Sequence, residues 1–231
     1  MRALQVFFCD IRYQFKYGFY FLYAIIAAAY IAFLYLVPPA LQRPAAAFII
    51  LTDPATLGFF FVGAMVLLER DEGLHSYYTI TPATVTEYVL GKAFSLALVS
   101  ATAGTVIAAA VFGRQVNFLL LLTGLAVGTP VFTLSGLAVG TASRSVNQYF
   151  VFSIPVGVLL IAPTFAIFAD VYHPAIEILP ATQLLRVIQG ALGMLLPHSL
   201  LLSLTGLFFW SLLAVWLTGR TFSRYLQKGG N

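Results

Sequence analysis

Long stretches without a charged side chain constrain this chain more than any other feature. Five runs lack Lys, Arg, Asp and Glu altogether: 17–42, 93–113, 115–143, 145–169 and 187–219. A helix that crosses a bilayer needs roughly 20 mostly apolar residues, and each of these runs is long enough. Only 9% of the residues are charged and 61% are hydrophobic, whereas soluble domains have about 25% charged residues. The chain is therefore predicted to be a polytopic membrane protein.

A sixth span is predicted from the shorter uncharged run 54–68. It either extends forward into residues 44–52 or begins at Pro54 with Asp53 as its N-cap. We therefore expect an all-α fold, a single transmembrane domain over 1–231 with six membrane helices. Their predicted bounds are 17–37, 47–69, 88–113, 117–142, 147–169 and 199–219.

Three further segments flank or interrupt the spans. Residues 1–16 have an amphipathic helical pattern, typical of a helix in the membrane interface or packed on the bundle, and both can hold together. Residues 170–198 combine three prolines with apolar stretches, which favours short outer helices that re-enter the membrane before the last span. Residues 220–231 form a predicted cytoplasmic tail.

The fourth span contains the same five-residue sequence twice, at 124–128 and 136–140. Each copy begins and ends with glycine, and Gly-x-x-x-Gly steps allow another helix to approach closely. Either a neighbour within the chain or a second subunit could fill these two grooves.

The basic residues predict the orientation. With a cytoplasmic N-terminus, six spans place nine basic residues inside and three outside; the outer three are Arg43, Arg114 and Arg186. This bias indicates that both termini are cytoplasmic. It also explains the basic charge balance, so no nucleic-acid partner is expected. The single cysteine, Cys9, cannot form an internal disulfide.

The sequence lacks the patterns of several other kinds of site. The histidines are scattered, so no metal-ligand cluster is expected, and no span carries the nucleophile and base of an intramembrane enzyme. A phosphate-binding loop is missing, because Gly91-Lys92 is followed by Ala93 and has Thr86 five residues before it. We expect no cofactor on this chain and no enzymatic activity. If the chain does energised work, another polypeptide must supply the energy.

A charged insert between the second and third spans interrupts the apolar sequence. Its segment 70–80 combines charged residues with large apolar and aromatic ones, and is predicted to be a short helix on the membrane face. After Pro82, the spacing of Thr84 and Glu87 predicts a capping box that opens the third span. A face of this composition suits a soluble partner, although a solvated inner loop is the alternative.

The insert and its flanks resemble the membrane subunits of type 2 ABC exporters, loosely those of fluoroquinolone and other drug-export permeases. The matching residues are Glu69, Arg70, Glu72, Gly73, Thr81, Pro82, Glu87, Tyr88, Gly91 and Lys92. The six spans and the N-terminal helix extend the resemblance over the whole chain. After the glycine, many relatives continue with a Thr-Leu-Glu-like triplet, but this chain has Leu74-His75-Ser76.

The resemblance implies that the chain lies in the cytoplasmic (inner) membrane of a prokaryote, and that 70–80 is a cytoplasmic coupling helix that docks in a separate ATPase subunit. The expected coupling residues are Arg70, Asp71, Glu72, Gly73, Leu74, His75 and Tyr77. Two ATPase copies, which bind the ATP and Mg, would join two permeases, either two copies of this chain or this chain and a paralogue.

The resemblance also implies a substrate pathway between the two permeases, lined by the second and fifth spans. The candidate lining residues are Phe59, Phe60, Phe61, Phe150, Phe152 and Phe165. An aromatic, uncharged lining suits an amphiphilic substrate that is drug-like, lipid-like or a peptide. Ordinary contact of these rings with membrane lipid is the alternative.

Two other functions remain open at this stage. An uncoupled channel or secondary carrier usually has charged residues in the middle of its spans, and these spans lack them. An intramembrane enzyme or assembly factor is the third possibility. The sequence does not identify the substrate, the ATPase or the regulation.

Overall fold

The computed structural model describes residues 2–71, 84–169, 173–195 and 199–227. Every regular element in these ranges is helical, and two 3-10 segments lie at Gly113–Gln115 and Ala162–Ala169. The α-helices are α1 (Arg2–Lys16), α2 (Phe19–Leu36), α3 (Pro39–Asp71), α4 (Val85–Phe112), α5 (Phe118–Ala142), α6 (Val146–Ile161), α7 (Pro174–Glu177), α8 (Pro180–Ala191) and α9 (Leu200–Gln227).

Five of the described helical segments are long and apolar enough to cross a membrane. They are Phe19–Leu36, Val85–Gln115, Phe118–Ala142, Val146–Phe168 and Leu200–Arg224. A shorter apolar stretch, Gly58–Leu68, lies within α3. The prediction of an all-helical protein with several membrane-spanning helices is confirmed at this level.

Helix α3 is longer than the second span predicted from the sequence. It begins at Pro39 and continues through Asp53 and Pro54, so the region before residue 47 is helical and Asp53 does not cap a helix start. Proline is well tolerated as the first residue of a helix because its missing N–H has no partner there. Ala46, Ala47 and the adjoining 49–51 are buried in the hydrophobic core, and this packing stabilises the extension.

Helix α5 lies at the centre of the bundle, where it packs against α3, α4, α8 and α9. Its second glycine pair receives α3: a β-carbon at Gly136 would collide with the backbone oxygen of Phe59, and one at Gly140 would lie 3.1 Å from the Cα of Gly63. Only glycine permits the two backbones to approach so closely.

The first glycine pair of α5 receives α8. A β-carbon at Gly124 would collide with Val187, and one at Gly128 would lie 2.8 Å from Leu184 Cδ1. Both glycine grooves of α5 are therefore filled by helices of the same chain. Of the two alternatives that the sequence left open, the structure shows the neighbour within the chain. At about 1.5 Å per residue, Gly124 and Gly128 lie about 9–15 Å from the first residue of α5. Helix α8 therefore contacts α5 at this depth.

Polar contacts tie together the end of the bundle where α4 stops and α5 begins. Arg43 donates from Nη2 to Gln115 Oε1 at 2.9 Å, and the amide of Asn117 donates to the carbonyl oxygen of Ala191 at 2.9 Å. Nearby, Arg186 and Glu177 form an ion pair at 2.5 Å. Helices α7 and α8, which lie inside the predicted segment 170–198, therefore cover this end of the bundle.

The N-terminal helix α1 packs on α4 and presents its apolar stripe outward. Leu4, Phe8 and Phe15 are each about 60% exposed, whereas Asp10 and Gln14 are buried against the bundle. The helix therefore meets both expectations at once, because it packs on the protein and offers an apolar face to its surroundings.

Candidate coupling region and aromatic face

Helix α4 begins with the capping box that the sequence predicts. The Thr84 hydroxyl accepts from the amide of Glu87 at 3.3 Å, and the Glu87 carboxylate accepts from the amide of Thr84 at 2.8 Å. Two amides that have no partner within the helix are satisfied in this way. The start of α4, immediately after residues 72–83, is therefore fixed by local hydrogen bonds.

Two turns further, Gly91 and Lys92 join α4 to α1. A β-carbon at Gly91 would lie 2.6 Å from Val6 Cγ1 and 3.2 Å from the amide nitrogen of Phe7, so glycine is needed for the close approach of the two helices. Next to it, the Nζ of Lys92 lies 2.5 Å from Oδ1 of Asp10. The Gly-Lys pair of the sequence motif thus forms a docking point for α1.

The ion pair is buried, and its carboxylate accepts further hydrogen bonds. Lys92 is 1% and Asp10 5% exposed. The Asp10 carboxylate also accepts from Gln14 Nε2 at 2.9 Å and from the Ser95 hydroxyl, while the Lys92 ammonium lies 5.8 Å from the centre of the Tyr88 ring. Buried charges are tolerated only when they are paired and hydrogen-bonded in this manner.

The same part of α4 is also joined to α9. The rings of Tyr88 and Phe222 stack with their centroids 4.8 Å apart, and both side chains are almost fully buried. Aromatic pairs of this kind add about 0.5–1.5 kcal/mol beyond the area that they bury. The base of α4 is therefore held between α1 on one side and α9 on the other.

Helices α3 and α6 are joined by a buried tyrosine. The Tyr149 hydroxyl donates to the backbone oxygen of Phe59, and its ring lies so close to Gly63 that a β-carbon there would collide with it. Further along α6, a β-carbon at Gly157 would be in ordinary contact with the Phe59 ring, at 3.7 Å. This packing leaves the opposite side of α6 exposed.

An aromatic surface runs along the exposed junction of α3 with α6 and the following 3-10 segment. The rings of Phe60 and Phe150 stack at 6.1 Å. Phe48 lies 5.4 Å from Phe165 and 5.8 Å from Phe168. Phe48 and Phe60 are separated by about 18 Å along α3 at 1.5 Å per residue. The five rings therefore form two groups along this junction, which together we call the aromatic face.

The six phenylalanines that the sequence suggested as pathway lining do not all lie on the aromatic face. Phe60, Phe150 and Phe165 belong to the aromatic face, and Phe152 is 44% exposed on α6. Phe59 is 1% exposed and lies in the core. The ring of Phe61 contacts Phe19 of α2 at 5.1 Å.

The candidate coupling residues lie at the edge of the described structure. Helix α3 ends at Asp71, so the backbones of Arg70 and Asp71 form its last turn. Glu72, Gly73, Leu74, His75 and Tyr77 lie outside the described residues. The structure does describe both helices that this segment joins, α3 and α4.

Sequence reasoning missed Asp10, Gln14, Ser95, Phe48 and Phe168. One signal was available for Asp10, because it is the only acidic residue in the first 52 positions and lies in an amphipathic helix with Gln14 one turn later. No comparable signal marks Phe48 or Phe168 among the 21 phenylalanines.

Comparison with known proteins gives a family match over almost the whole chain. The family model described as the fluoroquinolones export permease protein family matches residues 1–229. The chain belongs to this family. The match confirms the resemblance to drug-export ABC permeases that the sequence motifs indicated, and with it the character of a transmembrane permease.

Two curated relatives of this permease come from Mycobacterium tuberculosis, strains CDC 1551 / Oshkosh and ATCC 25618 / H37Rv. Each is named a fluoroquinolones export permease protein and is 28% identical over 163 residues, which cover 69% of this chain and 69% of the relative. The permease therefore shares most of its length with proteins named for drug export.

Proposed function

We propose that this chain is the membrane subunit of an ATP-driven exporter that moves an amphiphilic, drug-like substrate out of the cytoplasm or the inner leaflet. ATP and Mg bind to two copies of a separate ATPase, and two permeases form the pathway. Family membership supports the permease role, and the names of the relatives make fluoroquinolones the first substrates to test.

One observation carries the proposal: the aromatic face and the start of the charged segment lie on the same unbroken helix. Phe48 and Phe60 belong to α3, which continues without interruption to Asp71. From Phe60 to Asp71 the helix contains no proline, so its backbone hydrogen bonds are continuous and this part of α3 is stiff. A tilt imposed on residues 70–80 by an ATPase therefore displaces the Phe60 end of the aromatic face directly.

The other end of the segment enters an equally firm helix. The capping box at Thr84 begins α4, and Lys92 and Tyr88 join α4 to α1 and α9. Movement of residues 70–80 is thus passed on through both flanking helices.

The aromatic face suits the substrate and the proposed dimer. Phe150 and Phe165 are 44% and 39% exposed, so their rings are available to a planar aromatic substrate, which favours offset or edge-on stacking. A second permease that faces this surface would enclose the pathway between two such faces. In this arrangement α3 serves as the sixth span, both termini are cytoplasmic, and α8 re-enters the outer leaflet.

Association with an ATPase tests the proposal. The permease is purified in mild detergent from cells that express it with its genomic neighbours, and co-purifying proteins with a phosphate-binding loop are measured by mass spectrometry. We expect Glu72→Lys and Gly73→Val to reduce ATPase recovery about thirtyfold, as for loss of an interface anchor worth about 2 kcal/mol.

The matched control is Lys228→Ala, which removes a charge from the C-terminal tail. All variants must show wild-type expression and thermal unfolding. Wild-type recovery of the ATPase with both Glu72→Lys and Gly73→Val would contradict the coupling role of residues 70–80.

A further inference from the structure

A groove between the start of α4 and the C-terminal half of α9 has no part in the proposed transport pathway. It is lined by the first two residues of α4, Val85 and Thr86, and by one face of α9 from Leu212 to Arg224. Its volume is about 850 Å³, and it opens to the surroundings. The Tyr88–Phe222 stack joins the two helices beside it.

The groove changes from apolar to basic along α9. Leu212 and Val215 line one end, and Trp216, which is 51% exposed, follows. Arg220 and Arg224 line the other end, beyond the tryptophan. Leu212 and Arg224 are about 18 Å apart at 1.5 Å per residue, and tryptophan is enriched where a membrane helix leaves the hydrocarbon region.

The positive charge of the groove is not neutralised by the described residues around it. Arg220 and Arg224 are both exposed, and neither pairs with a carboxylate in the described ranges. The Arg220 guanidinium stacks over the Trp216 ring at 3.9 Å, which orients it at the boundary of the two ends. The nearby Glu87 carboxylate accepts hydrogen bonds from Thr84.

We propose that this groove binds an anionic phospholipid from the leaflet at the C-terminal end of α9. Its acyl chain lies along Leu212 and Val215, and its phosphate meets the guanidinium groups of Arg220 and Arg224. The polarity of the groove follows that of a phospholipid from tail to headgroup, and guanidinium groups bind phosphate oxygens through charge-assisted hydrogen bonds. Basic pockets between membrane helices bind acidic headgroups by the same chemistry.

The inference rests on the proposed function only for the identity of the leaflet, which is cytoplasmic in the proposed topology. Lipid binding itself depends on neither the ATPase nor the transported substrate. It is therefore measured on the purified chain alone, and failure of ATPase association leaves its outcome intact.

Native mass spectrometry of the intact chain tests the proposal. The protein is titrated in detergent with phosphatidylglycerol and, separately, with phosphatidylcholine of the same acyl chains. We expect tighter binding of phosphatidylglycerol to the wild type. An arginine near an anionic lipid contributes about fivefold in affinity, so Arg220→Gln with Arg224→Gln is expected to weaken this binding about thirtyfold.

Arg144→Gln, which removes one exposed arginine between α5 and α6, outside the groove, is the matched control for each single variant, Arg220→Gln or Arg224→Gln. Each single variant in the groove is expected to weaken phosphatidylglycerol binding about fivefold. Equal affinity of the wild type for the two lipids would overturn the proposal. An equal loss in the control would also overturn it, since the effect would then come from net charge. Displacement of the lipid by millimolar inorganic phosphate would assign the site to a soluble anion instead.

Tryptophan fluorescence locates the bound lipid without relying on an arginine variant. The chain has two tryptophans, so Trp210→Phe leaves Trp216 as the reporter and Trp216→Phe leaves Trp210.

Phosphatidylglycerol with brominated acyl chains is expected to quench Trp216 more strongly than phosphatidylcholine brominated in the same way. Trp210, whose indole donates to the carbonyl oxygen of Ile178, is expected to show no such difference. Equal quenching of Trp216 by both lipids would contradict the assignment.

Discussion

Lys92 and Asp10 lie 82 positions apart in the chain, and their side chains form an ion pair with a 2.5 Å separation between Nζ and Oδ1. Asp10 belongs to the N-terminal helix and Lys92 to α4, one turn after the Tyr88 that stacks on α9. The pair therefore fixes the N-terminal helix to the helix that follows the proposed coupling segment. Any movement of the base of α4 carries α1 with it.

Breaking this pair on one side is expected to destabilise the protein strongly. Lys92→Met leaves the Asp10 carboxylate buried without its cation, and loss of one partner of a buried ion pair typically costs about 3–5 kcal/mol. Adding Asp10→Asn removes the stranded charge and is expected to restore more than half of the loss. Thermal unfolding in detergent measures both variants, and equal stability of Lys92→Met and the wild type would refute the interpretation.

Alanine at Gly136 is expected to push α3 and α5 apart. The added methyl group would meet the backbone oxygen of Phe59, which cannot rotate away, and overpacking of this kind costs about 1–3 kcal/mol. Gly157→Ala is the matched control because its methyl group would be in ordinary contact with the Phe59 ring, 3.7 Å away. The expected order of unfolding temperatures is wild type and Gly157→Ala above Gly136→Ala.

Truncation of the stacked pair Phe60 and Phe150 is expected to weaken transport of aromatic drugs. The double alanine variant removes both rings from one end of the aromatic face, and an aromatic contact contributes about 1 kcal/mol, or about fivefold in affinity. Fluoroquinolone accumulation in cells that express the complete exporter measures the effect. The control is Phe208→Ala, which truncates an exposed ring on α9; equal impairment in the control would indicate a general effect of lost membrane contact.

The proposed orientation predicts how single cysteines react with a membrane-impermeant maleimide. Cys9 is exposed on α1, so the native chain is expected to be labelled only after the cells are opened. In a Cys9→Ser background, Ile178→Cys is expected to react in intact cells, because Ile178 is 62% exposed and lies by α7 at the opposite end of the bundle. The reverse pattern would invert the topology, and with it the side on which an ATPase can bind.

Local sequence signals predicted the features that depend on neighbouring residues. Long uncharged runs indicated the membrane-spanning helices, and the Thr84–Glu87 spacing predicted the hydrogen bonds that begin α4. The second span was predicted to begin at residue 47, whereas α3 begins at Pro39. Burial of residues such as Ala46 and Ile50 in the core stabilises helix there, and tertiary packing is invisible to a local pattern.

The sequence by itself determined that this chain is a bundle of membrane helices with a charged segment before α4, since helix length and hydrophobicity are local properties. Only the tertiary structure decided which faces meet: Asp10 with Lys92, Gly136 with Phe59, and Phe60 rather than Phe59 or Phe61 on the aromatic face. The physical reason is that a membrane helix is apolar on all sides. Its hydrophobic pattern therefore carries little information about which side contacts another helix, and close packing makes that choice.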